Sequence, residues 1–173
     1  KADSIRRFGV AKVAIAEGEF SRAERLLDAL LKEHPKAATL HSLRSLTHFF
    51  QQKDDLSIQG SAAAAHLARD LAPPHSTLFT LADRSWREHD NKGALLAQWE
   101  ALTEGHDEPM LTLLFLTAAR FLISPLEHTA ALGRAKERHP EMVALWLLEL
   151  RLLEERGEPA EVLEAALVAE QTH

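Results

Sequence analysis

The chain has no cysteine, which excludes disulfides, thiolate catalysis and cysteine-ligated zinc. Glycine and proline number only seven each, too few for the frequent turn signals of a β protein. Long apolar runs are missing too. The longest such stretch, Met110 to Ile123, is broken by Thr112, Thr117 and Arg120 and falls well short of the roughly 20 residues that span a bilayer. Positive charge is in deficit, with 20 Lys and Arg against 26 Asp and Glu and a net charge of −6. That balance argues against a broad phosphate-binding face and so against nucleic acid as a partner. No Gly-rich phosphate loop, nucleophile elbow, dinucleotide fingerprint or His-Glu-x-x-His motif occurs. Enzymatic activity therefore has no residues to rest on, and no cofactor or metal is expected.

What is present is helix-forming sequence. Hydrophobic residues make up 46% and charged residues 27% of 173 positions, the balance of one folded domain over residues 1–173. The punctuation divides the chain into about ten helical segments of roughly twelve to sixteen residues. They are expected at Ser4–Glu17, Phe20–Glu33, Ala38–Gln51, Leu56–Leu71, Ser76–His89, Lys92–Glu104, Met110–Leu122, Pro125–Arg138, Glu141–Glu155 and Pro159–Glu170. One start is chemically explicit: Ser124 can cap, Pro125 suits the first helical position and Glu127 completes a capping box. Short turns leave successive antiparallel pairs as the expected packing. The sequence opens on Lys1 with no Met or secretory leader, so it reads as a piece of a longer polypeptide. It does not separate a cytoplasmic from a periplasmic setting.

The pairs recur at a fixed spacing. Arg7, Ala11, Gly18, Ala23, Leu27 and Leu30 have the same mutual spacing as Trp146, Leu150, Gly157, Val162, Ala166 and Ala169. Arg7 and Trp146 lie 139 positions apart, which is four periods of 34 plus three. Pro35 and Pro140, each preceded by His, lie 105 apart, three periods plus the same three. A small residue late in a first helix, an Ala-x3-Phe-like step in the second and a closing Pro resemble the tetratricopeptide repeat. The resemblance implies an all-α, right-handed superhelical solenoid of about five antiparallel helix pairs. It also implies burial of Ala11, Ala23, Leu27, Leu150 and Ala166.

Other clusters read as ordinary surface or filler. Ten histidines are expected to be scattered on the surface, although His41 and His48 share a helix face. Asp54-Asp55, Asp107-Glu108 and Glu154-Glu155 fall at helix ends, where solvation and capping account for them. The Ala62–Ala65 run is helix filler, preceded by a segment around Gly60 that could bend.

In tetratricopeptide stacks the first helix of each pair lines the concave face. Carried onto this sequence, the resemblance places Phe8, Lys12 and Ile15, then Leu46 and Phe50, on that face. Next come Phe79, Asp83, Trp86 and Arg87, then Leu113, Thr117 and Arg120, and finally Leu147 and Arg151. Aromatic and aliphatic residues beside arginine suit a protein or peptide partner. The expected role is a protein-interaction scaffold within a larger assembly. The alternative is an accessory domain of a bacterial polysaccharide or pilus secretion machine, held in a membrane-associated complex without itself entering the bilayer.

Overall fold

A computed structural model describes residues 2–71, 75–87, 109–120 and 123–172. Among these residues there are nine α-helices and no strand. The helices are α1 (Ala2–Ala16), α2 (Phe20–Glu33), α3 (Ala38–Phe50), α4 (Asp54–Leu67), α5 (His75–Arg87), α6 (Pro109–Ala119), α7 (Pro125–Arg138), α8 (Val143–Arg156) and α9 (Pro159–Thr172). A 3-10 turn, Ala68–Asp70, follows α4. The segment expected at Lys92–Glu104 lies outside the described residues. No helix among them is long and apolar enough to cross a membrane.

Local chemistry accounts for each element. Helix α2 buries Ala23, Leu27 and Leu30, a stripe at i, i+4 and i+7, while Arg22, Arg25 and Lys32 face outward. The capping box of α7 forms as expected: the Glu127 N–H donates to Ser124 Oγ at 3.3 Å and the Ser124 N–H donates to the Glu127 carboxylate at 3.0 Å. Helix α6 buries Met110 and every residue from Leu113 to Ala119, the pattern of a helix surrounded by others.

The connectors repeat in three dimensions. His34 ends α2 with φ −131° and ψ 63°, and His139 ends α7 with φ −130° and ψ 61°. Each histidine N–H donates four residues back, to Leu30 and Ala135, and each carbonyl accepts three residues on, from Ala37 and Met142. Likewise Gly18 and Gly157, after α1 and α8, share the left-handed conformation at φ 76° and 70°.

Successive helices pack on one another, and α8 additionally reaches α1, α3 and α6. Its stripe of Ala144, Leu145, Leu148 and Leu152 joins one core with Ala11, Ala14, Ile15, Ala23 and Leu27. This crossing corrects the expected register at the end of the chain. Ala11, Ala23 and Leu27 are buried as expected, but Leu150 and Ala166 are only half-buried. Helix α8 turns its buried stripe toward three earlier helices, and α9, packed chiefly on α8, has no fully buried residue among its described side chains.

Two further expectations change. The stretch around Gly60 does not bend but sits within continuous α4, where a Cβ on Gly60 would lie 3.0 Å from Ser45 Cβ. Glycine there lets α3 and α4 approach closely. Nor are the histidines all superficial, since His48, His128 and His139 are buried.

The two left-handed glycines test the α1–α8 crossing. A Cβ on Gly18 would meet Leu147 Cδ1 at 2.8 Å, whereas one on Gly157 meets nothing within 4 Å. Gly157→Leu should cost about 1–2 kcal/mol for backbone strain. Gly18→Leu should cost about 1–3 kcal/mol beyond that through overpacking. Urea denaturation of both variants measures the difference, and equal losses would mean that α8 does not press on this turn.

Candidate functional site

Helices α1, α3, α5 and α6 converge on an apolar groove. It is lined by Phe8 and Lys12 of α1, Thr39 and Leu43 of α3, Phe79 of α5, and Met110, Leu111 and Leu114 of α6. Its volume is about 450 Å³, within the range of sites that enclose ligand groups. Phe79, 1% exposed, forms part of the floor and packs against Ala38, Ala64 and Ala68. Among the described residues of the lining, Lys12 supplies the one ionisable group.

Three of the residues placed here from the sequence thus lie in the groove: Phe8, Lys12 and Phe79. The others do not. Leu113 is wholly buried in the core, and so are Ile15 and Leu46. Thr117 is buried, with its hydroxyl donating to the Leu113 carbonyl at 2.9 Å. Phe50 stacks on Phe20 of α2 at a centroid distance of 4.4 Å. Asp83 is half-buried outside the lining. The side chains of Trp86 and Arg87 lie outside the described residues.

The displacement has a simple cause. Thr39, Leu43, Leu46 and Phe50 form one stripe of α3, and Met110, Leu113 or Leu114, and Thr117 form one stripe of α6. Helix α8 contacts both helices and meets α3 at Phe49, over which Arg151 lies; the groove is lined instead by Thr39 and Leu43 of α3 and by Met110, Leu111 and Leu114 of α6. Thr39, Leu43, Met110, Leu111 and Leu114 were missed because the repeat spacing fixes a helix face but not which part of that face a later helix covers.

Arg120 and Arg151 serve that crossing instead of an open surface. Their guanidinium carbons lie 4.2 and 4.1 Å from the centroid of the Phe49 ring, within cation–π range. Arg151 also donates to the Phe49 carbonyl and pairs with Asp54 at 3.0 Å and Glu155 at 3.1 Å. Burial lowers the Arg120 pKa to about 10, opposed by the nearby Glu155 carboxylate. It stays protonated at neutral pH. Among the described residues, two cations face two carboxylates, and the cluster clasps α3, α4, α6 and α8 together.

The remaining polar groups are likewise structural. His48 bonds to Glu24 at 3.0 Å, and Lys53 donates to the same carboxylate at 2.9 Å, tying α2 to the end of α3. His41 bonds to the Pro35 carbonyl at 2.9 Å, so His41 and His48 do not share a site. Among the described residues no three metal-ligating side chains converge. No protein-family model, curated protein or solved structure matches this chain. The groove's chemistry is therefore read from its own lining.

Behind the groove, His128 of α7 donates from Nε2 to the Leu116 carbonyl at 2.7 Å and holds α7 on α6. Burial pushes its pKa below the ordinary 6.5, and the charges of Arg156 and Arg120 act in the same direction. A folded pKa below the unfolded value means that the unfolded chain takes up the proton first, so stability falls as pH drops below about 6.5. The Glu24 and Glu33 carboxylates, also lowered but from 4.5, act at more acidic pH. Melting temperature should therefore decline between pH 7.5 and 5.5 in the parent, with a smaller decline in His128→Gln. Parallel pH profiles would remove this role for His128.

Proposed function

We propose that the chain is a tetratricopeptide-like repeat scaffold whose groove holds an apolar segment of a partner protein. The observation that carries this reading is the convergence of α1, α3, α5 and α6 on a cavity of about 450 Å³ lined by Phe8, Leu43, Phe79, Met110, Leu111 and Leu114. Four separate helices contribute, as in repeat proteins whose successive first helices build a common surface. The repeated His-Pro connectors after α2 and α7 and the matching glycine turns support the repeat itself. On this reading α1/α2, α3/α4, α6/α7 and α8/α9 are pairs, and α5 opens the third of five.

The lining favours protein over polysaccharide. Sugar sites need several hydrogen-bonding groups, and among the described residues Lys12 and Thr39 alone supply polar side chains to the groove. An amphipathic helix laying two or three large apolar residues into such a groove is a recurring mode of peptide recognition. Phe8, half-buried at the rim, is the aromatic side chain placed to contact it first.

A displayed random-peptide library, panned on the parent protein, tests this directly. Selected peptides should carry two or three large apolar residues at helical spacing. Phe8→Ala should weaken them by about 30-fold, the size expected for an aromatic anchor of about 2 kcal/mol. Glu164→Ala, at an exposed position of α9, should leave affinity unchanged. Peptides indifferent to Phe8→Ala, or retention of glycans in preference to peptides, would overturn the reading.

A further inference from the structure

We infer that a second, much smaller cavity, between α3, α4, α5 and α6, is a built-in site for an ordered water molecule. It is lined by five hydroxyl-bearing residues, Ser42, Ser45, Ser57, Ser61 and Thr117, together with apolar neighbours that include Phe49 and Leu114. All five are buried, with Ser42 and Ser61 only 5% and 4% exposed. A volume of about 30 Å³ exceeds the roughly 10–15 Å³ that one water needs. It is too small for an organic ligand.

The hydrogen-bond inventory selects the occupant. Ser45 Oγ donates to the Ser57 carbonyl at 2.5 Å, and Ser57 Oγ donates back to the Ser45 carbonyl at 2.9 Å. Thr117 Oγ1 donates to the Leu113 carbonyl at 2.9 Å. Those three hydroxyls have committed their protons and retain only lone pairs. Ser42 and Ser61, in contrast, make no hydrogen bond to any described residue, so each can both donate and accept.

The wall therefore offers more acceptor capacity than it can satisfy internally, beside two free hydroxyl protons. Water, with two protons to give and two lone pairs to receive, matches that set. A cation would have to be buried with no carboxylate among the described residues of the lining, and an apolar occupant would leave the Ser42 and Ser61 hydroxyls without a partner. The serines on α3 and α4 thus have a purpose beyond close helix packing: they join α3 and α4 to α6 through a shared solvent molecule.

High-resolution crystallography of the parent, with a second crystal pressurised with xenon, tests the site. The expected result is one density peak within about 2.7–3.2 Å of both Ser42 Oγ and Ser61 Oγ, and no xenon at that position. The double variant Ser42→Ala/Ser61→Ala should lose the peak and admit xenon, as dry apolar cavities do. Xenon in the parent cavity, or no density between the two serines, would overturn the inference. The parent crystals decide even where the double variant fails to fold.

Discussion

The packing of α8 across α1, α3 and α6 is the constraint on which the rest of the structure depends. A run of helix pairs stacked only on sequential neighbours would leave the concave stripes of its first helices open along their whole length. Here Leu145, Leu148 and Leu152 of α8 enter the same core as Ile15 of α1, Leu46 and Phe49 of α3 and Leu113 of α6. The apolar contact supplies most of the driving force, since burying a leucine side chain contributes about 1.5–3 kcal/mol. The arginine clasp on Phe49 adds geometry. Desolvated cation–π contacts contribute about 2 kcal/mol, and the pairing of Arg151 with Asp54 and Glu155 compensates part of the cost of taking its charge out of water.

The helices that α8 meets, α1, α3 and α6, also line the groove. The crossing takes up Phe49 of α3, while Thr39, Leu43, Met110, Leu111 and Leu114 line the groove with Phe8, Lys12 and Phe79. Residues near α8 became load-carrying parts of the core, while residues at the other end of the same stripes kept an open side. Arg120 shows the consequence most clearly. An arginine that spacing places on a concave surface is 6% exposed and lies over a phenylalanine ring.

Local signals were legible in the sequence wherever chemistry within a few residues decides the conformation. Ser124, Pro125 and Glu127 mark a helix start that forms as written. The His-Pro pairs mark two connectors with the same backbone angles, and Gly18 and Gly157 mark two left-handed turns. Ala11, Ala23 and Leu27 are buried, as the repeat resemblance implies. Long-range packing was not legible, because no pattern inside α8 states which earlier helices it will meet. Leu150 and Ala166 were misplaced for that reason, as were Ile15, Leu46 and Leu113. The buried histidines escaped notice because their partners are a carbonyl of a different helix for His128 and a carboxylate 24 residues away for His48.

The closed arrangement of α1 and α8 can be measured in solution. Because the chain has no cysteine, Glu17→Cys and Glu141→Cys would introduce the sole attachment points for a pair of spin labels. Both positions are exposed, and they flank the approach of Gly18 to Leu147 and Val143. Pulsed electron paramagnetic resonance should give one short, narrow distance distribution. A long or broad distribution, in a protein that retains its helical content, would show that α8 does not pack on α1.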